Sequence, residues 1–212
     1  MKHRDLSIRV NKNILQNARQ IYQGHEKKLE RYIDYLLEWN KKINLVSRNV
    51  SRETIREHIV HSLLPIPLNV LDGHSHWIDS GTGGGLPGIP LAICRTNLNW
   101  TLNDNIRKKI RAVDDIINHL GLDNCDTCAK SISLVGIGKS TGIVTKHAFK
   151  IPDLIRLLGD KSWSTILMWK GTEDAEKEII ECRKKYRFKI YEFDFGKDEV
   201  FYEGKGLVLI ER

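Results

Sequence analysis

The chain of 212 residues is long enough to fold as one domain with a substantial hydrophobic core. It has no run of about 18 apolar residues, the length that a membrane-spanning helix needs, and its first residues lack the apolar stretch of a signal peptide. We therefore expect a cytoplasmic protein. Lys and Arg number 34 against 27 Asp and Glu, and the net charge of +7 favours a polyanionic partner such as nucleic acid.

The first third of the chain has a helical pattern, from about Asn11 to Leu71. Pro65 and Pro67 close this region. We predict an N-terminal helical region over residues 1–72 and a second region over 73–212. The clearest apolar stripe in the first region recurs at the spacing of one helix face and consists of Leu29, Tyr32, Ile33, Leu36 and Leu37.

A glycine-rich turn follows a short apolar run that ends at Asp79. Residues without Cβ let the backbone approach a ligand closely, so the turn is typical of a nucleotide-type cofactor site. Gly83–Gly88 formally fits the G-x-G-x-x-G pattern of a dinucleotide site. Asp79 argues against that site, because a carboxylate repels phosphate and attracts the ammonium and sulfonium groups of S-adenosylmethionine. The alternative is that Asp79 only caps the helix or ends the strand.

Short apolar runs then alternate with helical segments, which is typical of a parallel sheet. One helix presents apolar residues from Ile106 to Leu120 and ends at Gly121. We predict a mostly parallel α/β sheet of Rossmann-like type that ends in an antiparallel hairpin, as in many methyltransferases. The predicted strands are Trp77–Asp79, Trp100–Leu102, Gly142–Thr145, Thr165–Trp169, Phe188–Phe195 and Leu207–Ile210.

Asp104 comes just after the second of these strands, where an acid can accept hydrogen bonds from the ribose hydroxyls of an adenosine. The alternative is an exposed acid in a turn.

The pair Cys125 and Cys128 is a weak sign of zinc, because residues three apart on a strand face opposite sides and no second pair completes a site. We predict no metal site. We interpret the histidines near the turn, His58, His61, His74 and His76, as ordinary polar surface residues.

Several stretches closely resemble the glucose-inhibited division protein B (RsmG) family of bacterial methyltransferases. The resemblance implies a class I methyltransferase fold, with the catalytic domain over residues 73–212, and S-adenosylmethionine as methyl donor. It also implies that the acceptor is N7 of a guanine in small-subunit (16S) ribosomal RNA or a ribosomal particle. We expect a monomer. The resemblance rests on Trp39–Leu45, His58–Leu63, Gly85–Ile93, Asp104–Arg111, Gly121–Asn124, Val144–Ala148 and Lys170–Gly171.

The family resemblance and the glycine-rich turn together predict which residues contact the cofactor and the RNA. The predicted cofactor contacts are Asp79, Gly81, Gly83, Gly85, Leu86, Asp104, Ile132, Ser133 and His147. The predicted RNA contacts are Lys108, Lys109, Arg111 and Lys146, although basic residues on a helix are often only solvated. The chain departs from the family pattern at several functional positions, so the alternative is a degenerate relative that binds RNA or ribosomal precursors without methyl transfer. These departures include His61, Ser80, Lys146, His147, Lys205 and Gly206, and the segment Ala129–Leu134.

Overall fold

A computed structural model describes residues 6–182 and 185–212. Seven α-helices are described: α1 (Lys12–Gly24), α2 (Glu26–Asn40), α3 (Arg52–Leu63), α4 (Gly88–Cys94), α5 (Arg107–Leu120), α6 (Ile151–Leu158) and α7 (Thr172–Cys182). Eight strands are described: β1 (Ser7–Val10), β2 (His76–Ser80), β3 (Asn99–Asn103), β4 (Cys125–Cys128), β5 (Thr141–Lys146), β6 (Thr165–Gly171), β7 (Arg187–Phe193) and β8 (Lys205–Glu211).

The eight strands form one sheet in the order β1-β7-β8-β6-β5-β2-β3-β4. Pairing is parallel from β4 through β3, β2 and β5 to β6, whereas β8 runs antiparallel to both β6 and β7. The predicted α/β sheet with a C-terminal antiparallel hairpin is therefore confirmed. Solvent is excluded from both faces of the central strands, which explains why their sequences are apolar runs.

Each face of the sheet has its own hydrophobic core because successive side chains of a strand point to opposite sides. On one face, Trp77 of β2 and Val144 of β5 pack with the N-terminal helices. On the other face, Ile78 and Ile143 of the same strands pack with α6 and α7. The predicted stripe of α2 lies in the first core, with Leu29, Tyr32, Ile33 and Leu36 fully buried.

Local sequence signals start and end several helices as expected. The side chain of Asn11 accepts a hydrogen bond from the backbone N–H of Asn13 at the start of α1, and Ser51 does the same for Thr54 at the start of α3. Helix α5 ends at Gly121, whose φ of +59° is left-handed.

The start of the chain differs from the prediction of a purely helical N-terminal region. Ser7–Val10 forms β1, which pairs in parallel with β7 at the edge of the sheet. The strand is short and half polar, so its own sequence carries little strand signal, and the partner β7 supplies the hydrogen bonds that define it. Helices α1–α3 also share a core with the sheet, so the division at residue 72 stays a prediction. In the described ranges, every helix is too short or too polar to cross a membrane.

Candidate active site

The predicted site residues come together at one edge of the sheet. Parallel neighbours place their carboxyl ends on the same side, which is where α/β sheets bind ligands. Asp79 lies near the end of β2, Asp104 follows β3, and Lys146 ends β5. Because β2 pairs with both β3 and β5, these three residues, which are far apart in the chain, lie on neighbouring strands.

The glycine turn after β2 is held against neighbouring elements by backbone hydrogen bonds. The N–H groups of Gly81 and Thr82 donate to the carbonyl of Asn103 in β3 at 2.8 and 3.0 Å. Gly81 has a φ of +75°, and a Cβ there would lie 2.5 Å from Cβ of Ala148, so only glycine fits between the two segments. From α2, the buried hydroxyl of Tyr32 donates to the carbonyl of Gly84 at 2.9 Å. Tyr32 is thus a supporting residue that its position in an apolar stripe did not reveal.

Asp79 is fully buried beneath this turn. Its Oδ2 accepts hydrogen bonds from Oγ1 of Thr82 at 2.6 Å and from the N–H of Gly88 at 2.9 Å, which ties the turn to the start of α4. Burial raises the pKa of the carboxyl to about 7. The other oxygen, Oδ1, has no donor from the described residues. Asp79 thus fastens the turn, and its Oδ1 is left without a partner inside the fold.

Asp104 lies in the wall of the larger of two cavities at this edge, with a volume of about 460 Å³. Its carboxylate accepts from the N–H of Ile106 at 2.9 Å and, more weakly, from that of Gly83 at 3.2 Å. A carboxylate has further lone pairs for ligand hydroxyls. The cavity is lined by Gly81, Asn103, Asp104, Asn105, Ile106, Lys109, Lys130, Ser131, Ile132, Ala148, Phe149 and Leu157.

Three of the predicted cofactor contacts lie outside both cavity walls, and the first is Asp79, which is buried beneath the turn. Ile132 lines the larger cavity, but the hydroxyl of the predicted Ser133 is paired with that of Ser131 at 2.8 Å, and Ser131 lines the cavity instead. Gly85 faces inward, because a Cβ there would lie 2.4 Å from Cδ1 of Ile89.

A second cavity of about 320 Å³ adjoins the turn on its other side. Gly81 lines both cavities, so they meet at this residue. Most of the second wall is apolar or glycine, and the predicted contacts Gly83, Leu86 and His147 belong to it. The wall consists of Leu45, Val46, Ser47, Val50, Ile55, His58, Gly81, Thr82, Gly83, Gly84, Leu86, Lys146 and His147. The wall of the larger cavity is more polar than that of the second. The two cavities can therefore receive two different ligands side by side.

Lys146 is placed differently from the other predicted RNA contacts. It is only 9% exposed, and its Nζ donates to the carbonyl of His58 at 2.7 Å and to Oγ of Ser62 at 3.1 Å. Burial lowers the pKa of the ammonium to about 7. An ammonium held inside the fold in this way does not suit a contact with a surface phosphate. Lys108 and Arg111 are exposed on α5, and Lys109 is partly exposed in the wall of the larger cavity.

The interpretation of His61 as a surface residue is wrong. Its ring is fully buried, and neither ring nitrogen has a hydrogen-bond partner among the described residues. Phe193, Phe201 and Tyr202 surround it at ring-centroid distances of 5.6 to 5.8 Å. Burial holds the pKa of His61 well below its ordinary value, so the ring is neutral. The C-terminal aromatic residues that bury this ring are distant in sequence. The helical pattern around His61 therefore did not indicate that it is buried.

The other histidines are also more than surface groups. His58 is half-buried in the wall of the second cavity, and burial lowers its pKa to about 3. The ring of His74 is hydrogen-bonded to Oγ of Ser164 at 2.7 Å, and that of His76 to Oγ1 of Thr101 at 2.9 Å. These bonds give His74 and His76 structural roles.

Several departures from the family pattern form one group in space. The rings of His61 and His147 are 6.3 Å apart, and Lys146 binds the hydroxyl of Ser62, the neighbour of His61. The positive charge of Lys205 helps to lower the pKa values of His61, Lys146 and His147. These positions are separate in the sequence, whereas the fold brings their side chains together beside the second cavity.

The cysteine pair lies where the sequence analysis placed it. Cys125 and Cys128 stand at the two ends of β4, and both are free thiols. Burial raises the pKa of the Cys125 thiol to about 12, which makes it unreactive. Residues 6–182 and 185–212 contain no group of three or more His, Cys, Asp or Glu placed to hold a metal ion.

Known proteins resemble this chain in both sequence and fold. A family model described as rRNA small subunit methyltransferase G (GidB) matches residues 25–196. The ribosomal RNA small subunit methyltransferase G of Christiangramia forsetii is 33% identical over 191 residues, covering 86% of this chain and 88% of that protein.

Solved structures extend the likeness to the architecture. A methyltransferase from Geobacter sulfurreducens gives a TM-score of 0.56 at 13% identity, over 85% of this chain and 90% of that one. The N-terminal domain of human METTL16 in complex with SAH gives 0.55 at 12% identity, over 72% and 70%. At such low identity, these structures support the fold alone. From the family match and the sequence identity together, the chain belongs to the rRNA small subunit methyltransferase G (GidB) family.

Proposed function

We propose that this enzyme transfers a methyl group from S-adenosylmethionine to N7 of a guanine in bacterial small-subunit (16S) ribosomal RNA in the cytoplasm. The observation that carries the proposal is the pair of cavities that meet at Gly81. One cavity offers a carboxylate at its wall, and the other is mainly apolar. A methyl donor in the first and a flat base in the second would bring donor and acceptor together at the turn.

The residues of the larger cavity fit a nucleoside cofactor. Asp104 retains acceptor capacity for ribose hydroxyls after its two backbone hydrogen bonds. The apolar side chains of Ile106 and Ile132 suit the faces of an adenine ring. The Oδ1 of Asp79 is buried without a partner under the turn, and burial raises the pKa of this carboxyl to about 7. A positively charged ligand close to the turn would favour the ionised carboxylate, whereas a pyrophosphate would not.

The chemistry asks little of the protein beyond alignment. When bound, the cofactor supplies a methyl group on a positively charged sulfur. Guanine N7 has an in-plane lone pair, so no proton must be removed before attack, and the site needs no general base. The fixed turn and the apolar wall from Leu45 to Ile55 hold the reacting groups in line and exclude water, and such orientation supplies several kcal/mol of a barrier.

The exposed face of α5 supports an RNA substrate. Lys108 and Arg111 are exposed and Lys109 reaches the rim of the larger cavity. Among the described residues none of the three forms an ion pair, so their charges are available to phosphates. Such contacts position RNA without reading its sequence. We further propose that the enzyme acts as a monomer and without a metal ion.

The test is to map N7-methylguanosine in small-subunit RNA from cells with and without the gene. The proposal requires one guanine to lose its N7-methyl group when the gene is deleted and to regain it when the gene is restored. Purified protein and labelled S-adenosylmethionine should then methylate the same guanine. If RNA binds but cofactor binding is undetectable by calorimetry and no guanine changes, the proposal is wrong and the binding-only alternative is supported.

A further inference from the structure

Lys146 has a donor to spare beside the second cavity. An ammonium carries three N–H donors. In the part of the chain that the structure describes, two acceptors are available to it, the carbonyl of His58 and Oγ of Ser62, both on α3. Lys146 and His58 both belong to the wall of the second cavity. Burial lowers the pKa of this group to about 7, and in its ammonium form the side chain has one hydrogen bond left to make at that wall.

The other groups around this cavity do not provide an acceptor for that bond. The described lining contains no Asp or Glu, and the nearby carboxylate of Asp79 lies beyond salt-bridge distance. His58 and His147 have pKa values lowered to about 3 and 4, chiefly by burial, so neither competes as a cation. A buried donor without a partner costs free energy, and an incoming acceptor atom relieves that cost.

The major-groove edge of guanine offers such an atom. Guanine presents N7 and O6 side by side as acceptors, whereas adenine presents N7 beside an amino group. Lys pairing with this edge is a common way of recognising guanine. A donor fixed next to the reacting N7 would accept guanine and would meet a second donor if adenine entered.

Resting on the proposed function, we propose that Lys146 determines base specificity by donating a hydrogen bond to O6 of the acceptor guanine. This role differs from a phosphate contact, because it acts on one atom of one base. It also differs from a purely structural role, because tying β5 to α3 would affect every base equally.

The experiment removes the two partners of the proposed hydrogen bond, Lys146 and O6 of the base, separately and together. Two synthetic RNA fragments are made around the guanine that mapping identifies, one with guanine and one with 2-aminopurine, which keeps N7 and lacks O6. Their dissociation constants with the SAH-bound protein and their methylation rates are measured for the parent and for Lys146→Met. Lys108→Met is the control, since a phosphate contact weakens both fragments alike.

The parent should prefer the guanine fragment by roughly tenfold, within the range known for one base contact. In Lys146→Met the ratio between the two fragments should fall towards one, while in Lys108→Met it should stay at the parent's value. An unchanged preference in Lys146→Met would overturn the inference. If that variant does not fold, as judged by cofactor binding and its unfolding midpoint, Lys146→Gln is used instead. The glutamine amide has only two N–H donors, which the carbonyl of His58 and Oγ of Ser62 can take up, so none is left for O6 and the preference should also fall.

The proposed function can fail separately from this inference. If the parent binds both fragments but methylates neither, the methyl-transfer proposal fails. If it methylates guanine and the substitution leaves the base preference intact, only the role of Lys146 fails.

Discussion

Replacing Gly88 by alanine tests how tightly the turn, Asp79 and the sheet are packed. Gly88 is the first residue of α4, and alanine at a helical position is favoured over glycine by at most about 1 kcal/mol. The structure predicts instead that Gly88→Ala lowers the free energy of unfolding. A Cβ at Gly88 would lie 2.1 Å from Cδ2 of Leu102 and 2.8 Å from Oδ2 of Asp79, both fully buried.

The magnitude follows from this crowding. Overpacking a close-packed core costs about 1–3 kcal/mol, and the shift needed here would also strain the hydrogen bond from Gly88 to Asp79 at 2.9 Å. The weakened hydrogen bond costs about as much as the helix preference of alanine returns, so we expect Gly88→Ala to lower the free energy of unfolding by about 1–3 kcal/mol. For a chain of this size, that corresponds to a decrease of roughly 2–12 °C in the midpoint of thermal unfolding.

Urea unfolding and calorimetric titration with S-adenosylmethionine measure the two consequences, stability and cofactor affinity. Gly24→Ala is the matched control, because Gly24 ends α1 and a Cβ there meets nothing within 4 Å. The control should be neutral or stabilised by up to about 1 kcal/mol. If Gly88→Ala were as stable as the control and bound cofactor like the parent, the close packing inferred around Asp79 would be refuted.

Three further substitutions test the site and its support. Gly83→Arg should abolish calorimetric cofactor binding, because Gly83 has a φ of +57° that arginine rarely adopts and its N–H donates to Asp104, so the substitution would distort the turn beside both cavities; binding like the parent's would contradict the site assignment. Asp104→Ala should weaken cofactor binding by about 1.5–3 kcal/mol at most, and an unchanged dissociation constant would exclude Asp104 from the site. Hydrogen bonds from Arg56 and Arg52 lower the pKa of Glu30 from 4.5 to about 2. This carboxylate therefore contributes stability above pH 4.5 that is lost as the pH falls through 2. Glu30→Gln should unfold at lower urea than the parent near neutral pH and at the same urea near pH 2, and an equal difference at both would refute the assigned cause.

The elements of the sheet could be predicted because their signals are local. The strand around Trp77 and the strand around Val144 are apolar runs, and α2 carries a regular apolar stripe. Gly121 ends its helix in the left-handed region, as its position predicted. By contrast, β1 has little signal of its own and exists through pairing with β7.

The site could be predicted only in part, for the same reason. The glycine turn and Asp104 are recognisable from their neighbours in the chain, and the structure places both at cavity walls. The support that Tyr32 gives to Gly84 was invisible, because a tyrosine in an apolar stripe looks like any other core residue. The pairing of Ser133 with Ser131 likewise depends on rotamers that the sequence does not specify.

The sequence by itself determined most of the strands and helices that follow β1, the glycine turn and the family, since each depends on the periodicity and identity of neighbouring residues. Only the tertiary structure decided that His61 is enclosed by aromatic rings and that the ammonium of Lys146 points at α3. It also decided that two cavities meet at Gly81. Burial and the partner of a charged group depend on segments far apart in the chain, such as those of His61 and Phe201, and packing brings them together only once the sheet has formed.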